Sequence, residues 1–402
     1  MGFMKSRRDA IFVVAQWLAT GMFPERMIPD GPDHAFVTDL VYTTVRHYRM
    51  LDWVVRQLVQ KMPKGEAQAA LLVGACQVLL MPDVANYAAV NETVEAAKQT
   101  HAVTAKLVNA VLRTLLRKKE TLLADLAKTS IGIRFSHPDA LVTRWIERFG
   151  VDETVALCKW DNSPADVYLA YPPGAPEPFV KAPAGKRIET LPGYAEGGFI
   201  VQDPATAGAV RLMDVKPGMK VLDAGAAPGG KTIQLAWRMG QPEAGSGQAL
   251  VAVDLYEDRL ATLRANLKRV RQEWVTVRQV DLTGDLNAAL GALGPFDRIL
   301  FDAPCSNTGV LRRRPDARWR WTTKRMKRLA ETQYAILEKL AGLVAPNGKL
   351  VYSTCSLEHD ENRRQITLFR KAHPEWVCSG VEERIPSRSG TDGAFACVLE
   401  RS

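Results

Sequence analysis

The sequence has no CxxC pair. Its six cysteines (Cys76, Cys158, Cys305, Cys355, Cys378, Cys397) and six histidines are scattered, so the ligand spacing of a zinc site is missing and no metal is expected. No apolar run is long enough to span a bilayer; the longest, Leu71 to Met81, is broken by Gln77. The opening MGFMKSRRDAIFVV sets basic residues before an apolar stretch but offers no small-residue cleavage site, so it reads as a helix and not as a secretory signal. Reduced thiols in a cytoplasmic protein are the expectation. Disorder is excluded too, because 47% of the residues are hydrophobic and only 24% are charged. At 402 residues the chain exceeds what one core usually organises, so two or more domains are expected.

The net charge of +9 is modest, but its placement is not. The stretch Leu311 to Arg328, LRRRPDARWRWTTKRMKR, holds nine positive side chains against one acid, a surplus of eight that leaves the rest of the chain near neutral. Such a local excess reads as a footprint for a polyanion. Arg312, Arg313, Arg314, Arg318, Arg320, Lys324 and Arg325 are the candidate phosphate contacts, and Trp319 or Trp321 is placed to stack on an unpaired base. The competing reading is a basic helix with its tryptophans packed inward.

Residues 1–128 read as helix throughout. Apolar residues recur at helical spacing in Asp9–Leu18, Phe36–Tyr42, Ala67–Leu80, Val90–Val94 and Leu107–Leu112. Residues 129–198 read as a connector: His137-Pro138 starts a helix ending near Phe149-Gly150, and seven prolines then fall between Pro164 and Pro192. Over 199–402 the texture changes to short apolar runs ending in Asp or Cys, alternating with helical patterns. Strands are expected to end at Asp223, Asp254, Asp281, Asp302 and Cys355, in a parallel sheet covered on both faces. Ligands bind outside the carboxyl ends of such strands.

The first strand runs into Asp223-Ala224-Gly225-Ala226-Ala227-Pro228-Gly229-Gly230-Lys231-Thr232. This is neither a GxGxxG nor a GxxxxGKS/T loop, so a wrapped pyrophosphate is not indicated. Its glycines allow close backbone approach to a ligand at a helix start. Asp254 is placed to accept both hydroxyls of a ribose, and Asp281 to meet an adenine amino group. Together these features fit a pocket for S-adenosylmethionine, held by Gly225 to Lys231, Asp254, Asp281 and Asp302. The bland alternative is a tight turn with N-capping aspartates.

Two motifs, Phe301-Asp302-Ala303-Pro304-Cys305-Ser306 and Tyr352-Ser353-Thr354-Cys355-Ser356, each deliver a cysteine at or just past a strand end. A lone free cysteine is usually a small core hydrophobe, which suits Cys76, Cys158, Cys378 and Cys397. A pair beside a carboxylate and a methyl-donor loop answers a chemical need. C5 of a pyrimidine is a poor nucleophile until a thiolate adds to C6 and gives C5 enamine character, after which a base must remove the C5 proton.

These residues resemble the RsmB (Sun, Fmu) family of ribosomal RNA 5-cytosine methyltransferases. The likeness is carried by DAGAAPGGKT, DAPCSNTG followed by RRRPD and RW, STCSLEHDEN, Gln202-Asp203 and Asp392-Gly393-Ala394-Phe395. In front, FVTDLVYTTVRHYRMLDWVV, AAVNETVEAAK and KLVNAVLR are similar to the RNA-binding antitermination factor NusB. The resemblance implies an all-α NusB-like N-terminal domain plus an α/β Rossmann-like class I S-adenosylmethionine-dependent methyltransferase domain. It implies Cys355 as nucleophile, Cys305 as the residue assisting product release, and Asp302 as a contact to cytosine. The implied substrate is RNA, with small-subunit (16S) ribosomal RNA as the leading reading. Gly225 stands where many relatives have cysteine, an exchange expected to be harmless because the loop works through its backbone. Tyr168-Leu169-Ala170-Tyr171 replaces a usual Leu-Arg-Val-Asn, and Ala394 a usual aromatic. The alternatives are the same chemistry on transfer RNA or another ribosomal cytosine, and a non-catalytic RNA-binding or ribosome assembly factor. A nicotinamide-dependent dehydrogenase lacks its glycine fingerprint and leaves both cysteines unexplained.

Overall fold

The computed structural model describes residues 2–99 and 102–401, and the chain divides into two compact units. The first comprises Met1–Ser163 together with Leu311–Thr322; the second comprises Pro164–Val310 with Thr323–Ser402. The helical unit thus runs beyond the expected 128, through half of the expected connector, and takes back a short segment from far along the sequence.

The first unit is all helix: α1 (Gly2–Thr20), α2 (His34–Arg46), α3 (Tyr48–Arg56), α4 (Glu66–Leu80), α5 (Asn86–Lys98), α6 (Ala102–Leu126), α7 (Ile131–Arg134), α8 (Asp139–Phe149), α9 (Val151–Asn162) and the short α14 (Ala317–Arg320). Helix α4 is apolar nearly all round, and every residue from Ala69 to Val78 is buried, which makes it the central rod. It packs against α1, α5 and α6. A Cβ on its Gly74 would meet the Leu112 side chain at 2.5 Å, so glycine sets how closely α4 and α6 approach. Leu40, Leu51, Leu71, Val108 and Leu112 are wholly buried in this core.

The second unit is built on a seven-stranded sheet in the order β6-β5-β4-β7-β8-β10-β9. Its strands are β4 (Lys220–Ala224), β5 (Ala249–Asp254), β6 (Thr276–Gln279), β7 (Phe296–Asp302), β8 (Val344–Thr354), β9 (Trp376–Arg384) and β10 (Ala394–Arg401). The pairs from β6 to β8 are parallel, and β10 is antiparallel to both its neighbours. Strand residues alternate between two cores. Leu222, Val253, Ile299, Phe301 and Tyr352 face helices α13 (Leu286–Leu290), α15 (Thr323–Ala341) and α16 (Arg363–Ala372). Val221, Ala252, Leu300 and Val351 face α10 (Ala207–Leu212), α11 (Gly230–Met239) and α12 (Glu257–Arg269). This is the expected Rossmann-like sheet covered on both faces, and β4 and β7 flank the point where strand order reverses. The proline-rich stretch forms a small antiparallel sheet, β2-β1-β3, from β1 (Tyr168–Ala170), β2 (Phe179–Lys181) and β3 (Ile200–Val201). Among the described residues, no helix is long and apolar enough to cross a membrane, and no cluster of His, Cys, Asp and Glu is arranged for a metal ion.

Candidate active site

The loop between β4 and α11 turns tightly because Gly225 and Ala226 both donate to Val253 O, each at 2.9 Å. Gly225 sits at φ +86°, and a Cβ there would meet Asp302 O at 2.5 Å. Glycine at this position thus carries no cost for the loop. Both the left-handed backbone and the close pass of β7 suit glycine. Asp223, at the end of β4, is wholly buried; its Oδ2 accepts from Thr232 Oγ1 at 2.7 Å, and its Oδ1 has no hydrogen-bond partner among the described residues. Burial pushes its pKa up to about 7, against the opposing hydrogen bond from Thr232.

A cavity of about 290 Å³ opens here, lined by Asp223, Gly225 to Pro228, Lys231 and Asp302 together with Gln202, Asn266 and Arg269. Lys231 Nζ pairs with Asp302 Oδ2 at 2.7 Å. Burial works against the Lys231 ammonium, but the charge and hydrogen bond of Asp302, with Asp223 and Cys355 beyond, outweigh it and raise the pKa.

Asp254, the last residue of β5, is not among the residues that line this cavity, and neither is Asp281. The Asp254 carboxylate is buried and accepts from Ala227 N and Tyr256 N, both at 3.2 Å. Arg259, which the sequence reading missed, lies across it at 3.3 Å and also donates to Ala227 O. Asp281 stands exposed two residues past β6, where its Oδ1 accepts from Thr283 N and Oγ1 at 2.8 and 2.7 Å. Those two bonds hold its pKa below the usual carboxylate range.

The two cysteines meet. Strands β7 and β8 pair up to Asp302 opposite Ser353, and just past that point Cys305 Sγ and Cys355 Sγ lie 3.3 Å apart. Cys355 Sγ also donates to Asn307 Oδ1 at 3.2 Å, while Asn307 Nδ2 donates to Cys305 O at 3.1 Å. The hydrogen bond to Cys355 and then burial hold the Cys305 thiol well above its ordinary pKa. Below them, Glu361 gathers hydrogen bonds from both cysteine loops; its signal in the sequence was only its place within STCSLEHDEN.

The basic stretch is split between the units. Arg318 is wholly buried and donates to Arg46 O, Ser136 O, Asp161 O and Asn162 Oδ1. The Arg312 guanidinium is buried over the Trp160 ring at 4.2 Å. Trp319 donates its indole N–H to Val45 O at 2.8 Å and meets Tyr48 edge-on, and Trp321 is buried. Arg320 pairs with Asp316 and covers the Phe23 ring at 4.2 Å. The expectation that Arg312, Arg318, Trp319 and Arg320 face a polyanion is corrected: these side chains hold the first unit together. Arg313 is half-buried and Arg314 exposed in the same segment. Lys324, Arg325, Lys327 and Arg328 are exposed on the first turns of α15, in the second unit. That helix reaches the Cys305 loop through Gln333 Nε2, which donates to Pro304 O at 2.8 Å.

The description "16S rRNA methyltransferase RsmB/F" matches residues 210–395, and "NusB family" matches residues 4–117. A ribosomal RNA small subunit methyltransferase B from Citrobacter koseri is 31% identical over 96% of this chain and 94% of its own length. One from Salmonella paratyphi B is 33% identical over 91% and 90%. The chain belongs to the RsmB/F family. It is thus an RNA methyltransferase with a NusB-like helical domain in front. A probable small subunit methyltransferase B from Synechocystis sp. is 31% identical over 92% of both chains. The solved structure of PH0851 superposes with a TM-score of 0.75 at 23% identity over 99% of both chains, and a methyltransferase homologue from Pyrococcus horikoshii with 0.56 at 23% identity over 68% of this chain and 98% of that one. Those two establish likeness of fold.

Proposed function

We propose that this enzyme transfers a methyl group from S-adenosylmethionine to C5 of a cytosine in small-subunit ribosomal RNA, through a covalent bond between Cys355 and C6. The observation that carries the reading is the thiol pair, 3.3 Å apart beside the Lys231–Asp302 pair. The residues fit the cofactor. The orphaned Asp223 Oδ1 borders the cavity and suits a ligand ammonium, and glycine at 225 keeps the loop backbone close to Asp302. Asp254 is assigned to the ribose hydroxyls and Asp281 to the adenine amine. The cofactor, when bound, supplies an electrophilic methyl group on sulfur.

The Cys355 thiolate adds to C6, and C5 gains enamine character and takes the methyl. Asp302, with Lys231, holds the N3 edge of the ring. Cys305 then removes the C5 proton, the C5–C6 double bond re-forms, and the Cys355 thiolate leaves. The pair explains the timing. While Cys355 bears a proton or charge, it keeps the Cys305 thiol protonated. Once the Cys355 sulfur is a thioether, that hydrogen bond and charge are gone, so Cys305 more readily gives its own proton to solvent and, as thiolate, becomes the base.

The exposed Lys324, Arg325, Lys327 and Arg328 on α15 are assigned to RNA phosphates, with Arg313 and Arg314 as further contacts. The target base must be splayed out of any duplex. The proposed location is the cytoplasm. Cys355→Ala should abolish activity and give no RNA adduct. Cys305→Ala should stall as a slow-migrating band on a denaturing gel that requires S-adenosylmethionine and vanishes in the double variant. The reverse pattern would exchange the two roles, and bisulfite sequencing with and without the gene would name the cytosine.

A further inference from the structure

Glu361, in the turn between β8 and α16, is a carboxylate with no exposed surface. Burial raises its pKa, against opposing hydrogen bonds from Ser306 and Ser356. A carboxylate in such a place needs donors, and it has four. Oε1 accepts from Ser306 N at 2.9 Å and Gln333 Nε2 at 3.2 Å. Oε2 accepts from Ser306 Oγ and from Ser356 Oγ, the latter at 2.5 Å. Ser306 directly follows Cys305 and Ser356 directly follows Cys355. Gln333 also holds Pro304 O, on the other side of Cys305, at 2.8 Å.

We infer that Glu361 is a positioning residue that sets the gap between the two reactive thiols. The inference rests on the roles assigned above to Cys305 and Cys355. The β7–β8 ladder ends at Asp302 and Ser353, and the loops beyond are tied by Ala303 N to Ser353 O and by Gly309 N to Cys355 O. Between those two ties, Glu361 bonds the residue after each cysteine to a single carboxylate. Geometry, not charge, is what it supplies. The donors on Oε1 are N–H groups that can only donate, whereas those on Oε2 are hydroxyls that can also accept. A glutamine can therefore keep all four contacts, with its carbonyl on the N–H pair and its amide on the hydroxyls. An aspartate keeps the charge but is one methylene too short to reach both loops.

The test compares the full-length wild type with E361Q, E361D and E361A in two measurements. The first uses diamide, which takes up two electrons and two protons as a disulfide forms, with the Cys305–Cys355 link followed by peptide mass spectrometry. Cys378 and Cys397, 2.7 Å apart on β9 and β10, provide an internal reference in the same molecule. Wild type and E361Q should link Cys305 to Cys355 at like rates, and E361D and E361A about tenfold more slowly relative to the reference. The second is RNA methylation. There kcat should fall about 100-fold in E361D and E361A, with KM for RNA unchanged and E361Q restoring most of the rate. An active E361D with an inert E361Q would overturn the inference in favour of a charge or acid–base role. Equal linking rates in all variants would overturn it as well. If E361A fails to fold, the E361Q–E361D pair still decides. If the wild type methylates no RNA, the proposed function fails, while the linking rates still judge Glu361.

Discussion

Replacing Arg318 should destabilise the helical unit rather than weaken RNA binding. Its guanidinium meets Asn162 Oδ1 at 2.8 Å, Ser136 O at 3.1 Å, Asp161 O at 3.2 Å and Arg46 O at 3.3 Å. These acceptors come from the ends of α2 and α9 and from the turn before α8, so one side chain from residues 311–322 closes three chain segments. Burial depresses its pKa to about 10, against attraction from Asp161. The guanidinium therefore stays charged at neutral pH although burial works against it, and the carbonyls and amide oxygen around it take the place of water. Removing the group leaves buried acceptors unpaired, and breaking such a buried charged network costs about 3–5 kcal/mol. Arg318→Ala should lose about 4 kcal/mol in the helical unit, and Arg318→Met, which refills volume without donors, nearly as much. Two units need not unfold together, so the readout is hydrogen exchange in α2, α9 and residues 311–322, alongside urea denaturation. Unchanged protection, with a weaker and less salt-dependent RNA affinity, would refute the reasoning and return Arg318 to the RNA surface.

The two units were legible to different depths. β4, β5, β7 and β8 declare themselves because strands buried on both faces are nearly continuous apolar runs, as in Leu250–Val253 and Ile299–Phe301. The outer strand β6 carries little such signal, because Thr276, Arg278 and Gln279 are exposed; it stops at Gln279, not at Asp281. β9 and the reversed β10 were not read as strands, since β9 alternates only weakly and ends in charged residues. The cysteine pair was legible through motif and chemistry, and the fold then set the thiols at contact distance. Residues 311–328 misled because charge counts cannot tell an arginine that satisfies carbonyls in a core from one that faces water. Arginine's planar fork of donors suits both tasks. Glu361, Arg259 and Gln333 gave no signal of their own, since their roles depend on partners 5 to 55 residues away.

Reversing Lys324, Arg325, Lys327 and Arg328 to Glu should weaken RNA but not cofactor binding, and flatten the log–log salt slope by about 0.7–0.9 for each phosphate no longer neutralised. Unchanged RNA affinity would make this face merely solvated. The Asp223 pKa is raised to about 7 in the fold from an ordinary 3.8, so its proton is bound more tightly in the native state. That stabilisation is complete below about pH 4 and lost as pH rises through about 7. Relative to Asp223→Asn, the wild type should lose stability across that window in urea titrations, and parallel curves would refute the shift. The last prediction concerns the two sides of Asp254. If its carboxylate takes both ribose hydroxyls, Asp254→Ala forfeits charge-assisted hydrogen bonds of about 1.5–3 kcal/mol each, and calorimetry should find at least tenfold weaker S-adenosylmethionine binding. Arg259 now occupies the same carboxylate at 3.3 Å, so it competes with the ribose for those lone pairs. Arg259→Met removes the competitor while preserving the apolar stem, and cofactor affinity should hold or rise. Equal losses from the two substitutions would mean that Arg259 binds the ligand itself, and that the pair acts as one site rather than as a carboxylate and its stopper.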